Sequence, residues 1–150
     1  MFYRLKDHLR RQRFARACGG VLRTRPVELD PSSEMIVLSQ LQHKDVLMFL
    51  LALKSFAARV APRSVYVLND GSLTTADRSE LAEHIPGVAL LELDDFRSDA
   101  CPAGGCWERL LAIAGLVRDH YVVQLDSDTL TLGSIGEVRS AVDPMGSASV

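Results

Sequence analysis

Two aspartates separated by one residue close an apolar run in the stretch Tyr121-Val122-Val123-Gln124-Leu125-Asp126-Ser127-Asp128. A β-branched run of this kind reads as a buried strand, and a strand that ends so abruptly delivers two negative charges to one edge of a sheet. Carboxylates held this close repel unless a cation lies between them or one takes up a proton. Hard divalent cations take oxygen ligands, and Mg²⁺ is commonly held by one or two carboxylates together with the phosphates of a substrate. The chemistry within reach of Asp126 and Asp128 is therefore metal-assisted handling of a phosphorylated ligand. The same pair also suits a solvated turn, or a cap for a following helix, so its meaning depends on what the fold gathers around it.

The elements that must position the pair are legible as alternating periods. Short apolar runs predict strands over residues 35–39, 65–68, 88–93 and 121–125. Between them, helical periods run over 43–60, 74–84 and 106–120, with a last short helix announced by Ser134 and Glu137. Thr74 with Asp77 has the form of a capping box, and Pro86-Gly87 ends that helix. On the third helix, Trp107, Leu110, Leu111, Ala114 and Val117 stand at core spacing. Strands alternating with helices predict a three-layer α/β/α domain around a mainly parallel sheet. In such sheets ligands bind beyond the carboxyl ends of the strands. Those ends are Ser39-Gln40, Asn69-Asp70, the 94–105 loop and Asp126-Ser127-Asp128. Arg109 falls near the first turn of a helix antiparallel to the fourth strand, and so joins the same rim. Asn69-Asp70-Gly71-Ser72 is also a turn sequence in its own right.

Composition bounds the rest. The chain has 150 residues and a net charge of −2, room for one domain with a core and no general attraction for nucleic acid. The charge is unevenly spread: residues 1–25 hold eight Arg and Lys against one Asp, a net of +7 that leaves −9 for the remainder. Residues 2–17 read as a basic amphipathic helix with Phe2, Leu5, Leu9 and Phe14 near one face, a candidate for peripheral contact with an anionic membrane surface. Residues 18–33, with Gly19-Gly20, Pro26 and Pro31, read as a linker. The expected division is thus a basic helix and linker over 1–34 and an α/β domain over 35–150. Cys18, Cys101 and Cys106 leave one thiol unpaired in any disulfide scheme, which favours a reducing, cytoplasmic setting. Cys101 and Cys106 have no His or Cys cluster beside them to make a zinc site. No run approaches the roughly 18 apolar residues of a membrane span.

The order of elements, with Trp107-Glu108-Arg109-Leu110 on one helix and Leu125-Asp126-Ser127-Asp128 closing the next strand, resembles the donor-binding half of nucleotide-sugar glycosyltransferases with the GT-A fold. Within that nucleotide-diphospho-sugar transferase superfamily, the likeness is to the family-eight type. It covers about residues 35–142. The resemblance implies that Asp126 and Asp128 hold Mn²⁺ or Mg²⁺ on the diphosphate of a UDP- or GDP-sugar, and that Asp126 also lies near the ribose or sugar. It implies that Arg109 contacts the phosphate or donor sugar, and that Ser39, Gln40 and Asp70 border the nucleoside pocket. The implied activity is hexosyl transfer to an acceptor that the residues do not identify, and no catalytic residue is assigned. The family supplies a further metal ligand, often a His, well beyond the Asp-x-Asp, and none of His8, His43, His84 and His120 holds such a position. With the chain ending at Val150, the expectation is a donor-binding half that binds weakly, needs a partner, or belongs to a longer enzyme.

Two other classes compete with this reading. A non-catalytic nucleotide-binding module would keep the cleft without transfer. An Asp-nucleophile phosphatase would use Asp126 covalently, but places its Asp-x-Asp near the domain start. A dinucleotide dehydrogenase is disfavoured, since no Gly-x-Gly-x-x-Gly follows the first strand.

Overall fold

The computed structural model describes residues 13–14, 16–104 and 106–142. In chain order the elements are β1 (Met35–Leu41), α1 (Val46–Ala57), β2 (Ser64–Asn69), α2 (Thr75–His84), β3 (Ala89–Glu92), α3 (Trp107–Leu116), β4 (Tyr121–Gln124) and α4 (Gly136–Val142). Short 3-10 turns occupy Gly19–Arg23, His43–Asp45 and Leu93–Phe96. The four strands form one parallel sheet in the order β3-β2-β1-β4. The fold is the expected α/β architecture with helices on both faces.

Residue type explains which strand is central. Every residue of β1 except Gln40 is buried, and its Met-Ile-Val-Leu run is the near-continuous apolar sequence that a strand covered on both faces requires. β3 has no buried residue and β4 is exposed at Tyr121 and Gln124, in keeping with their places at the two edges. On one face, Met35, Val37, Leu41, Val65 and Val67 pack with Phe49, Leu50 and Leu53 of α1 and Leu81 of α2, and Val142 of α4 joins the same core. On the other, Leu38 and Leu68 meet Ala112, with Ile113 and Leu116 of α3 and Phe96 packed around them. Full burial of a large apolar side chain is worth about 1.5–3 kcal/mol, so the α1–α2 face carries most of the hydrophobic stabilisation.

The turn after α2 shows local chemistry ending an element. Ile85 is buried, Gly87 takes a φ of 66°, and the Val88 amide donates to the Ile85 carbonyl. A positive φ is costly for any residue with a Cβ, which accounts for Gly at this position.

Two sequence expectations change. First, α3 turns a different face to the sheet: Glu108 and Ala112 are buried, whereas Trp107, Leu110 and Val117 are exposed. Apolar residues stand at nearly every position from Leu110 to Val117, so periodicity does not choose a side, and packing on Leu38 and Leu68 does. Second, residues 18–33 are not a free linker. Val21 and Val27 enter the main core, the Val27 amide donates to the His84 carbonyl, and Lys54 Nζ donates to Thr24 Oγ1 at 2.7 Å and to the Arg25 carbonyl at 2.8 Å. Of the helix predicted over 2–17, residues 13–14 and 16–17 are helical as expected, while Phe2, Leu5 and Leu9 lie outside the described residues. No helix among the described residues is long and apolar enough to cross a membrane.

Candidate functional site

The strand order decides where the site lies. From β1 through β3 the chain adds strands in one direction, and α1 and α2 both contribute to the same core. It then crosses the other face through α3 and places β4 on the free side of β1. The carboxyl ends of β1 and β4 are therefore the point where the winding reverses, the place at which open α/β sheets leave a crevice. A cleft of about 400 Å³ opens there, lined by Gln40, Gln42, Lys44, Asp45, Arg109, Asp126, Ser127 and Asp128.

Each wall has a local cause. The Leu125 amide donates to the Leu38 carbonyl at 3.0 Å, which holds the end of β4 against β1 so that Asp126 leaves the sheet near Gln40. The Thr129 hydroxyl and amide both donate to the Asp126 carbonyl, at 2.8 and 3.3 Å, and close a turn that carries both carboxylates on the rim. Asp126 Oδ1 accepts from Gln124 Nε2 at 3.1 Å and lies 3.6 Å from Arg109 Nη1, with the Asp126 side chain 60% exposed. At that distance and exposure the ion pair is weak. Arg109 Nε is buried and has no hydrogen-bond partner among the described residues. Arg109 also lines the cleft, and of the five N–H donors of its guanidinium those on the Nη atoms can meet an anionic ligand there.

The two aspartates supply hard oxygen donors and no more than a partial coordination sphere. Among the described residues there is no group of three or more His, Cys, Asp or Glu side chains placed to hold a metal ion. The donor set suits Mg²⁺ or Mn²⁺ only if phosphate oxygens and water complete the shell, and does not suit a closed protein cage.

Of the residues expected at the site, Gln40, Arg109, Asp126 and Asp128 come together, and Ser39 and Asp70 do not line the cleft. Ser39 is buried, one position out of phase with Gln40, on the face of β1 that packs against α1 and α2; its hydroxyl has no partner among the described residues. Asp70 is committed to the turn after β2: its Oδ1 accepts from the Ser72 amide at 2.9 Å and the Ser72 hydroxyl at 2.6 Å. The turn reading of Asn69–Ser72 is what the geometry displays. Gln42, Lys44 and Asp45 line the cleft without having been expected there, and Ser127 lines it between the two aspartates. The signal for the first three was the length of β1, which runs on to Leu41 rather than stopping at the end of the apolar run.

The opposite part of the same sheet edge is internally satisfied. Asn69 Oδ1 accepts from the Gly71 and Leu73 amides, while its Nδ2 donates to Glu92 Oε2 at 2.7 Å. Arg78 Nη2 donates to Glu92 Oε1 at 2.8 Å, and this bond, helped by Asn69 and opposed by burial, holds the Glu92 carboxyl below its ordinary range. The expected capping box is present, with Thr74 Oγ1 accepting from the Asp77 amide and the Thr74 amide donating to Asp77 Oδ2. Burial by itself raises the Asp77 pKa; the Thr74 hydroxyl, the His43 ring at 2.7 Å and the Thr74 amide outweigh it and hold the carboxyl low.

A cleft lined by two exposed carboxylates and a guanidinium can receive a polyanion bridged by a divalent cation. No family model matches this chain, and no curated protein matches it.

Proposed function

We propose that the cleft between β1 and β4 binds a nucleoside diphosphate sugar together with Mn²⁺ or Mg²⁺, as the donor site of a GT-A-type glycosyltransferase. The observation that carries this reading is the meeting of Asp126, Asp128 and Arg109 with Gln40 at the switch point of a parallel sheet. Asp126 and Asp128 would hold the cation, which supplies positive charge to the diphosphate as the glycosyl bond breaks. Arg109 donates to phosphate oxygens from the α3 side and gives up only a weak contact with Asp126 to do so. Groups aimed at charge that grows in the transition state accelerate transfer, whereas groups that bind both states equally do not. Gln40 has an amide on the cleft wall that can pair with a base or sugar hydroxyl.

Binding without transfer is the second reading. Its support is the sparse donor set, two carboxylates with no third metal-binding side chain grouped with them among the described residues. Calorimetric titration of UDP and GDP in Mn²⁺ and in chelator tests the site common to both readings. Binding that strengthens at least tenfold in Mn²⁺ is expected. Equal affinity in the two conditions would overturn the metal-dependent donor site. Release of sugar from UDP- or GDP-hexose by the same preparation then separates transferase from binding module.

A further inference from the structure

The wall of the cleft formed by the Gln42–Asp45 turn plays no part in the sequence motif, yet its construction is specific. Gln42, Lys44 and Asp45 line the cleft, whereas the intervening His43 is tied to the turn after β2 and to the first turn of α2. The His43 amide donates to Ser72 Oγ at 2.9 Å, and its Nδ1 lies 2.7 Å from Asp77 Oδ2. Both anchors are themselves fixed, Ser72 by Asp70 Oδ1 and Asp77 by the amide and hydroxyl of Thr74. The Asp45 amide donates to the Gln42 carbonyl at 2.9 Å and closes the turn. Lys44 is exposed, and its ammonium makes no hydrogen bond or ion pair with a described residue.

From this we infer that Lys44 is a second anion-binding residue of the cleft, working from the α1 side against Arg109 on the α3 side, and that His43 is the positioning residue that presents it. The inference rests on the donor-site reading above and deepens it. Charge supports the assignment. Asp45, Asp126 and Asp128 against Lys44 and Arg109 give the side chains of the cleft a net charge of −1, and a divalent cation brings it to +1. An anion entering with the metal therefore meets a net positive site only because two side-chain cations are present. Without Lys44 the metal-loaded cleft is neutral, and the attraction that remains is Arg109 and the cation alone.

The probe is inorganic pyrophosphate with Mn²⁺, titrated calorimetrically into the intact chain and its variants. Lys44→Met should weaken binding about tenfold, and Lys44→Arg should restore most of it because the charge returns. His43→Ala should weaken binding several-fold in the parent, with no further loss in the Lys44→Met background, because a residue that acts only through Lys44 has nothing left to position. If the parent binds manganese pyrophosphate and Lys44→Met binds it equally well, Lys44 has no such role. If the His43→Ala loss persists undiminished in the Lys44→Met background, His43 does not act by positioning Lys44. Failure of the parent to bind manganese pyrophosphate at all would overturn the donor-site reading, and this assignment with it. Thermal melts of each variant distinguish loss of the cleft from loss of the fold.

Discussion

Two ends of one sheet edge use the same residue types in opposite ways. Beyond β2 and β3, Asn69, Arg78, Glu92, Thr74, Asp77 and His43 spend their donors and acceptors on one another and on turn amides. Beyond β1 and β4, Asp126 holds a single side-chain hydrogen bond and a long contact to Arg109, and Lys44 has no partner among the described residues. Paired groups cost less to bury and add rigidity, whereas unpaired groups on an open cleft keep their capacity for a ligand. The difference teaches that polar composition at a strand end does not mark a site; uncommitted bonding capacity does.

Breaking the satisfied end at Asn69, away from the His43 contact, should have the largest effect and should be read in stability. Asn69→Ala removes a buried amide with three hydrogen bonds and strands the Gly71 and Leu73 amides. The expected loss is about 3 kcal/mol of unfolding free energy, seen in chemical denaturation, with little change in nucleotide affinity per folded molecule. A comparable loss of affinity in the folded fraction would erase the distinction between the two ends.

The reverse substitution sharpens the contrast. Asp128→Asn should remove most of the metal dependence of UDP or GDP binding, about tenfold or ~1.4 kcal/mol, while the melting temperature stays near the parent value because Asp128 is exposed. Arg109→Ala should weaken nucleotide binding in Mn²⁺ and in chelator alike, leaving the ratio between them nearly unchanged. Calorimetry on the two variants separates the roles. A metal ratio that survives Asp128→Asn would count against the carboxylate pair.

The smallest effect concerns acid. Asp77 is held below its ordinary value of 3.8. A carboxyl with a lowered folded-state pKa stabilises the fold above its unfolded value, and that stability is lost as pH falls through the folded value. Stability should therefore decline below about pH 4 with a contribution from Asp77. Asp77→Asn should lower stability at neutral pH by about 1 kcal/mol, the usual scale of a lost cap interaction, and flatten that acid decline. An unchanged acid slope in the variant would show that Asp77 is not one of the groups responsible.

Much of this was written locally. Apolar runs separated by helical periods determine the order of elements, and because each pair of strands is joined by a helix, parallel pairing follows. Thr74 with Asp77 announces a cap, since the capping bond spans three residues and depends on nothing distant. The arrival of Asp126, Asp128 and Arg109 at the carboxyl edge follows from strand direction alone. Strand order, in contrast, belongs to the tertiary structure: nothing local says that β4 pairs with β1 rather than β3, yet that choice brings Gln40 to Asp126 and creates the cleft. The face that α3 buries, the burial of Ser39 beside an accessible Gln40, the docking of Val21 and Val27 in the core and the anchoring of His43 to Asp77 are decided in the same way. Propensity, capping and periodicity are energies of neighbours along the chain, while the side of a helix that is buried and the strand that lies alongside are set by contacts between residues tens of positions apart.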